Sequence, residues 1–221
     1  MNLRADDINY NPVFFSYAIF DKVSDSVDLF SDKEHFNPLL ALENVKIHEY
    51  EGITAALQDL CKAGTKIGVD KNKVNAELDL IIKDNCVSME NVVESIKACK
   101  TKIEQDGMQA ANVRDCAAIM KYFAFLEQEL KKPDHGLNEY TGARKVEAFR
   151  AEHELYMGPS FDTISSIGAN GAVIHYKPEK ETAMKLNNDE IYLLDSGGQY
   201  KDGTTDITRT AHFGGKAPTA F

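Results

Sequence analysis

The chain has no C-x-x-C pair, and its four cysteines, Cys61, Cys86, Cys99 and Cys116, are widely spaced and apart from any histidine cluster. That excludes a zinc ribbon or a disulfide framework and reads as free, buried thiols in a reducing cytosol. Long apolar runs are missing as well. The longest, Val13-Phe-Phe-Ser-Tyr-Ala-Ile-Phe20, falls far short of the roughly 20 residues a bilayer-spanning helix needs. Met1-Asn-Leu-Arg-Ala-Asp-Asp7 has no apolar stretch of a secretion signal. Basic residues are in deficit, with 25 Lys and Arg against 35 Asp and Glu and a net charge of -10. Such a surface repels nucleic-acid phosphates and anionic headgroups, so no nucleic acid and no membrane is expected as a partner, and the protein is expected to be cytoplasmic. Internal repeats and low-complexity segments are also lacking.

What is present is a 221-residue chain with 43% hydrophobic residues, enough to bury the core of one large or two modest domains. The first hundred residues alternate in an α/β pattern. Pro12 to Phe20 and Lys66 to Val69 read as strands, while Lys33 to Leu42, Tyr50 to Ala63 (stopped by Gly64) and Asn75 to Ile82 read as helices. Val92, Val93 and Ile96 form a further helical stripe. A long helix is predicted over Met108 to Leu130. Its apolar face would be Val113, Cys116, Ala117, Met120, Phe123 and Ala124, with Arg114, Asp115, Lys121 and Gln128 on the other side, and Pro133 ends it. Asn138-Glu139 caps another helix, with Tyr140, Ala143, Val146 and Phe149 on one face, ending near His153. Strands then follow at Thr163 to Ser166, Ala172 to Tyr176, Glu190 to Leu194 and Thr205 to Thr210. Helices followed by strands make an α+β unit, so two domains are expected, 1–100 and 101–221.

The segment Tyr192-Leu-Leu-Asp-Ser-Gly-Gly-Gln-Tyr-Lys-Asp-Gly-Thr-Thr-Asp-Ile-Thr-Arg-Thr210 places Asp195 and Asp206 in two strand-like runs joined by a glycine-rich turn. Paired carboxylates hold hard, oxygen-preferring metal ions. A two-residue Asp202-Gly203 turn would set Gln199 opposite Asp206 and leave Asp195 about 13 Å away. A four-residue Gln199–Asp202 loop would instead set Asp195 opposite Asp206, with β-carbons about 5 Å apart, close enough for neighbouring metal ions. A bulge at Gly197-Gly198 is a third route to the same approach. Aspartate also simply flanks turns, as Asp202 does, but Leu193, Leu194 and Ile207 imply a buried setting in which bare carboxylates are costly. His175 follows Gly168-Ala-Asn-Gly-Ala-Val-Ile174. It is open between a structural role and that of a hydrogen-bond or proton donor at a cleft. The remaining histidines, His35, His48, His135, His153 and His212, have no such setting.

The Asp195/Asp206 segment closely resembles the first metal-binding segment of the cytosolic Xaa-Pro aminopeptidases, also called aminopeptidase P. Gly168-Ala-Asn-Gly-Ala-Val-Ile-His-Tyr-Lys-Pro178 resembles their substrate-histidine segment, and Asn2-Leu-Arg with Asn11-Pro-Val-Phe-Phe-Ser-Tyr17 resembles part of their middle domain. The resemblance implies a partial creatinase-like middle domain followed by the opening part of a pita-bread catalytic domain. It implies Asp195 and Asp206 as ligands of a two-manganese (Mn2+) centre, and His175 as an aid at the scissile peptide. The substrates it implies are peptides with proline second, from which the first residue is released. The family completes its metal site with one later histidine and two later glutamates, which this sequence does not reach. The chain is therefore expected to be a fragment, inactive or nearly so alone, poorly soluble, and partly disordered after about Thr210. A prolidase-like dipeptidase and a non-catalytic pita-bread binding module are the rival readings, and a homodimer of the full-length protein is left open.

Overall fold

A computed structural model describes residues 3–35 and 43–215. The chain divides into two compact units, one of Met1–Ile8 with Pro12–Cys99 and the other of Asn9–Asn11 with Lys100–Phe221.

In the first unit, β1 (Ser16–Asp21) and β2 (Ser26–Ser31) form an antiparallel hairpin, and β3 (Val45–His48) adds to β2 in parallel. The Asp21 carboxylate closes the hairpin by accepting from Val23 N and Ser24 Oγ. The aromatic run expected to be a strand from Pro12 becomes one only from Ser16. Of the helix expected over Lys33 to Leu42, Lys33–His35 is a single 3-10 turn, and 36–42 lie outside the described residues. Helix α1 (Gly52–Lys62) buries Ile53 and Leu57 and stops at Gly64, whose φ of +75° suits glycine. Strands β4 (Ile67–Val69) and β5 (Cys86–Ser88) pair in parallel across α2 (Ala76–Ile82), which is capped by the Asn75 side chain on Leu78 N. Phe30, Ile53, Leu57, Leu78 and Ile82 form the core of this unit. Helix α3 (Val92–Ala98) forms as expected but buries none of its residues.

The second unit packs two helices against bent sheets. Helix α4 (Lys102–Glu129) opens with a capping box between Thr101 and Glu104, and α5 (Glu139–Ala151) with one between Asn138 and Thr141. The expected inward face of α5 is observed in Ala143, Val146 and Phe149. That of α4 is not. Its buried residues are Ala111, Asp115, Ala118, Ile119, Tyr122 and Leu126, while Val113 and Met120 are 65% and 71% exposed. Tertiary chemistry selects the face: Asp115, expected on the polar side, is drawn in by Arg150 of α5. Arg150 Nε donates to Asp115 Oδ1 at 2.7 Å and Nη2 to Oδ2 at 2.9 Å, and both side chains are wholly buried.

Strands β6 (Tyr156–Pro159), β9 (Gly198–Tyr200) and β10 (Gly203–Thr204) make one antiparallel sheet in the order β10-β9-β6. Strands β7 (Ile164–Ile167), β8 (Tyr192–Ser196) and β11 (Ile207–Ala211) make another in the order β11-β8-β7. Tyr192 and Leu194 of β8 point into the core with Ile167, Tyr122, Leu126 and Val146. Strand β11 runs past Thr210 to Ala211, and Phe213 packs its ring on Phe123 and Tyr192. Residues 216–221 lie outside the described residues.

Two predictions follow from this core. Asp115→Ala leaves a buried guanidinium without its anion and is expected to cost about 3–5 kcal/mol, while the double variant Asp115→Leu/Arg150→Met recovers most of that loss; urea unfolding checks both. Burial pushes Tyr156 and Tyr192 from the ordinary 10.0 up to about 12. Their contribution is fully present below pH 10 and is lost as pH rises toward 12, because only the unfolded chain ionises readily in that window. Alkaline titration should therefore show tyrosinate absorbance rising together with loss of tertiary circular dichroism. Ionisation of all nine tyrosines near pH 10 with the fold intact would contradict the burial.

Candidate metal centre and histidine loop

The two aspartates sit on one long bent hairpin. Gly203 pairs with Tyr200 and Thr204 with Gln199. Beyond the bend Ile207 pairs with Ser196 and Thr208 with Asp195. The register is the same on both sides, set by a two-residue Lys201-Asp202 turn, and it is neither of those predicted from the sequence. Asp202-Gly203 is not the turn because the Asp202 carboxylate is held by Arg114 of α4, and Gly203 lies against Met108 and Ala111.

Continuing that register through the unpaired bend would set Asp206 opposite Gly197 and diagonal to Asp195, a relation that in a regular hairpin places residues about 7–8 Å apart. The bend itself requires Gly197. A Cβ there would lie 2.0 Å from Thr205 O and 2.3 Å from Ser160 Oγ, and Ser160 Oγ donates to that same Thr205 carbonyl at 2.8 Å. Thr205 Oγ1 accepts from Gly198 N at 2.8 Å, and Thr205 N donates to Gly198 O at 2.9 Å. These bonds lock the strand switch that carries Asp206 from one sheet to the next.

The buried setting expected for the aspartates is corrected by the alternation of β8. Tyr192, Leu194 and Ser196 take the core side, whereas Asp195 is half-buried on the opposite side and Asp206 is exposed. Thr208 Oγ1 donates to Asp195 Oδ1 at 2.8 Å and fixes its orientation from the neighbouring strand. The donor set of two hard carboxylate oxygens suits Mn2+ or Mg2+ rather than a soft metal. Among the described residues no cluster of three or more His, Cys, Asp or Glu gathers for a metal.

His175 is not on a strand. Gly168–Ala172 is a 3-10 helix followed by turns in which Val173 N bonds Asn170 O and Tyr176 N bonds Val173 O. His175 itself is exposed and left-handed, with φ +56°. A non-glycine residue there is strained and is held by its surroundings. The run Ala172-Val-Ile-His-Tyr176 suggested a strand, but Val173 and Ile174 are both exposed.

Two buried polar centres escaped sequence reasoning. Under Asp195, Ser196 Oγ accepts from Arg150 Nη2 at 3.0 Å, and Tyr200 Oη donates to Asp115 Oδ1 at 3.0 Å, so the ion pair grips both β8 and β9. The anion and burial together push the Tyr200 hydroxyl far up from its ordinary value. Glu139, read as a capping residue, is instead fully buried and accepts hydrogen bonds from the histidine loop. No local signal could have found either, because the partners are 28 to 85 residues apart in the chain.

Comparison with known proteins gives these features a context. Residues 1–104 match the model of the creatinase/prolidase N-terminal domain, and residues 106–220 that of metallopeptidase family M24. A probable Xaa-Pro aminopeptidase P of Laccaria bicolor is 44% identical over 97% of this chain and 34% of its own length. That of Arthroderma benhamiae is 44% identical over 100% and 33%. The chain thus spans about a third of the curated relatives it matches. The X-prolyl aminopeptidase of Caenorhabditis elegans, described as a cytosolic enzyme with a di-nuclear active site, is 31% identical and superposes with a TM-score of 0.87 over 98% of this chain and 36% of its own. The prolidase of Pyrococcus furiosus shares the fold, with a TM-score of 0.65 at 18% identity over 94% of this chain and 58% of its own. The α/β architecture is that of the pita-bread Xaa-Pro aminopeptidases. With the second family match covering more than half of the residues, this chain belongs to metallopeptidase family M24.

Proposed function

We propose that the chain is part of a manganese-dependent, cytoplasmic Xaa-Pro aminopeptidase that releases the first residue of peptides with proline second. Its first unit would be a partial creatinase-like domain and its second an incomplete pita-bread domain. One observation carries this reading: on a hairpin strand that packs Tyr192, Leu194 and Ser196 into the core, Asp195 turns the other way, and Asp206, just before the partner strand, is exposed. Carboxylates turned away from the core beside a glycine-locked bend take no part in packing and are available to a ligand.

Asp195 and Asp206 would hold the metal pair, with Thr208 keeping the Asp195 carboxylate turned as it is. When bound, two such ions act as Lewis acids and lower the pKa of water. The chain's own residues do the rest. The imidazole of His175, exposed on its turn, can donate a hydrogen bond or a proton to the peptide being cleaved. The Asp115–Arg150 pair holds the strand that carries Asp195 through Ser196. Two carboxylates give weak metal affinity, so the 221-residue chain alone is expected to be inactive.

The test compares this chain with a version extended downstream, each given Mn2+ and Xaa-Pro peptides of three or more residues. Release of the first residue by the extended form alone is the expected result; inactivity of both removes the proposal, and cleavage of dipeptides only would make the protein a prolidase. A second measurement needs no activity. Titrated Mn2+ should broaden the NMR signals of Asp195, Gly197 and Asp206 before those of α5. Asp206→Asn should abolish this while changing stability by no more than about 0.5 kcal/mol, since Asp206 is exposed.

A further inference from the structure

We propose that Glu139 is the positioning residue for His175, anchoring the loop that presents it; this rests on reading His175 as the substrate-facing group. Glu139 is fully buried in the first turn of α5 and forms no salt bridge among the described residues. A buried carboxylate without a counter-cation persists only where hydrogen bonds replace its hydration. Here its Oε1 accepts from Ile167 N at 2.8 Å and Asn170 Nδ2 at 3.0 Å. Its Oε2 accepts from Tyr176 Oη at 2.6 Å, Met184 N at 2.9 Å and Asn170 Nδ2 at 3.1 Å. The helix N-terminus adds further favourable field.

These donors are distributed in a telling way. They come from the end of β7, from the 3-10 helix, from the residue after His175, and from the return of the chain to α5. Between Ile167 and Met184 the backbone thus closes around one carboxylate, and His175 lies between two of its clients, Asn170 and Tyr176. Those clients also touch, with Asn170 Nδ2 at 3.0 Å from Tyr176 Oη. The carboxylate itself does not wander. Its helix is fixed by the Asn138 capping box, and Glu139 N donates to Met184 O at 3.0 Å. An apolar residue at 139 would fill the space without specifying any of these directions. The left-handed turn at His175 is the strained conformation that such multiple anchoring sustains.

The test is Glu139→Gln in the 221-residue chain, followed by amide hydrogen exchange and NMR. Glutamine keeps the shape but turns an acceptor into a donor facing Tyr176 and Met184. Protection at Ile167 and Met184 should fall by about tenfold or more, with Leu130 and Thr205 unchanged, and the His175 signals should broaden or split. Should Glu139→Gln unfold the domain, Tyr176→Phe removes a single donor and should produce the same His175 changes with a smaller, few-fold loss of protection. A lowered melting temperature with His175 signals and loop protection as in wild type, in whichever variant folds, would overturn the proposal and leave Glu139 a stabilising group only. These readouts report loop geometry, not catalysis, so their outcome is independent of whether the chain's parent enzyme cleaves Xaa-Pro peptides.

Discussion

The Asp115–Arg150 ion pair is the constraint on which the second unit depends. Burying two full charges is costly, and bidentate geometry with added hydrogen bonds offsets that cost here, although Arg150 Nη1 is buried without a partner. Here α4 brings the carboxylate, α5 the guanidinium, β8 the Ser196 hydroxyl and β9 the Tyr200 hydroxyl. Four elements must therefore arrive together, and their rotation about their own axes is decided by that meeting. It is why α4 presents Ala118, Tyr122 and Leu126 inward and leaves Val113 and Met120 outside.

From that anchor the candidate site follows by alternation. Once Ser196 faces the ion pair, Asp195 must face away, because neighbouring strand residues point to opposite sides. Gly197 then allows the chain to bend against Thr205, and past the bend Asp206 is exposed. A second buried carboxylate, Glu139, orders the loop carrying His175 in the absence of any cation. The two halves of the site are thus each supported by buried polar chemistry rather than by apolar packing, which fixes volume but not direction.

Local rules carried far where local chemistry decides. The cap at Asn138, the stop at Gly64 and the inward stripe of α5 were legible because each depends on residues a few positions apart. The α4 face was not, since its apolar stripe and its packed face differ by a rotation that only Arg150, 35 residues on, selects. Nor was the turn of the hairpin. Asp202-Gly203 is a good turn by itself, but Arg114 holds Asp202 from 88 residues away and shifts the turn to Lys201-Asp202. The strand expected through His175 failed because its backbone closes local turns instead, Val173 N bonding Asn170 O and Tyr176 N bonding Val173 O.

By itself the sequence suggested the class of chemistry: Asp195 and Asp206 across a glycine-rich hairpin, His175 after a glycine-containing segment, and with them the resemblance to a peptidase family. Those are properties of residue identity and order. Only the tertiary structure decided that Asp195 is half-buried and Asp206 exposed, that His175 sits on a left-handed turn, and that Asp115, Arg150 and Glu139 are buried. Register, rotation and burial are set by contacts between residues far apart in the chain, and no local pattern encodes which distant partner a charged group will meet.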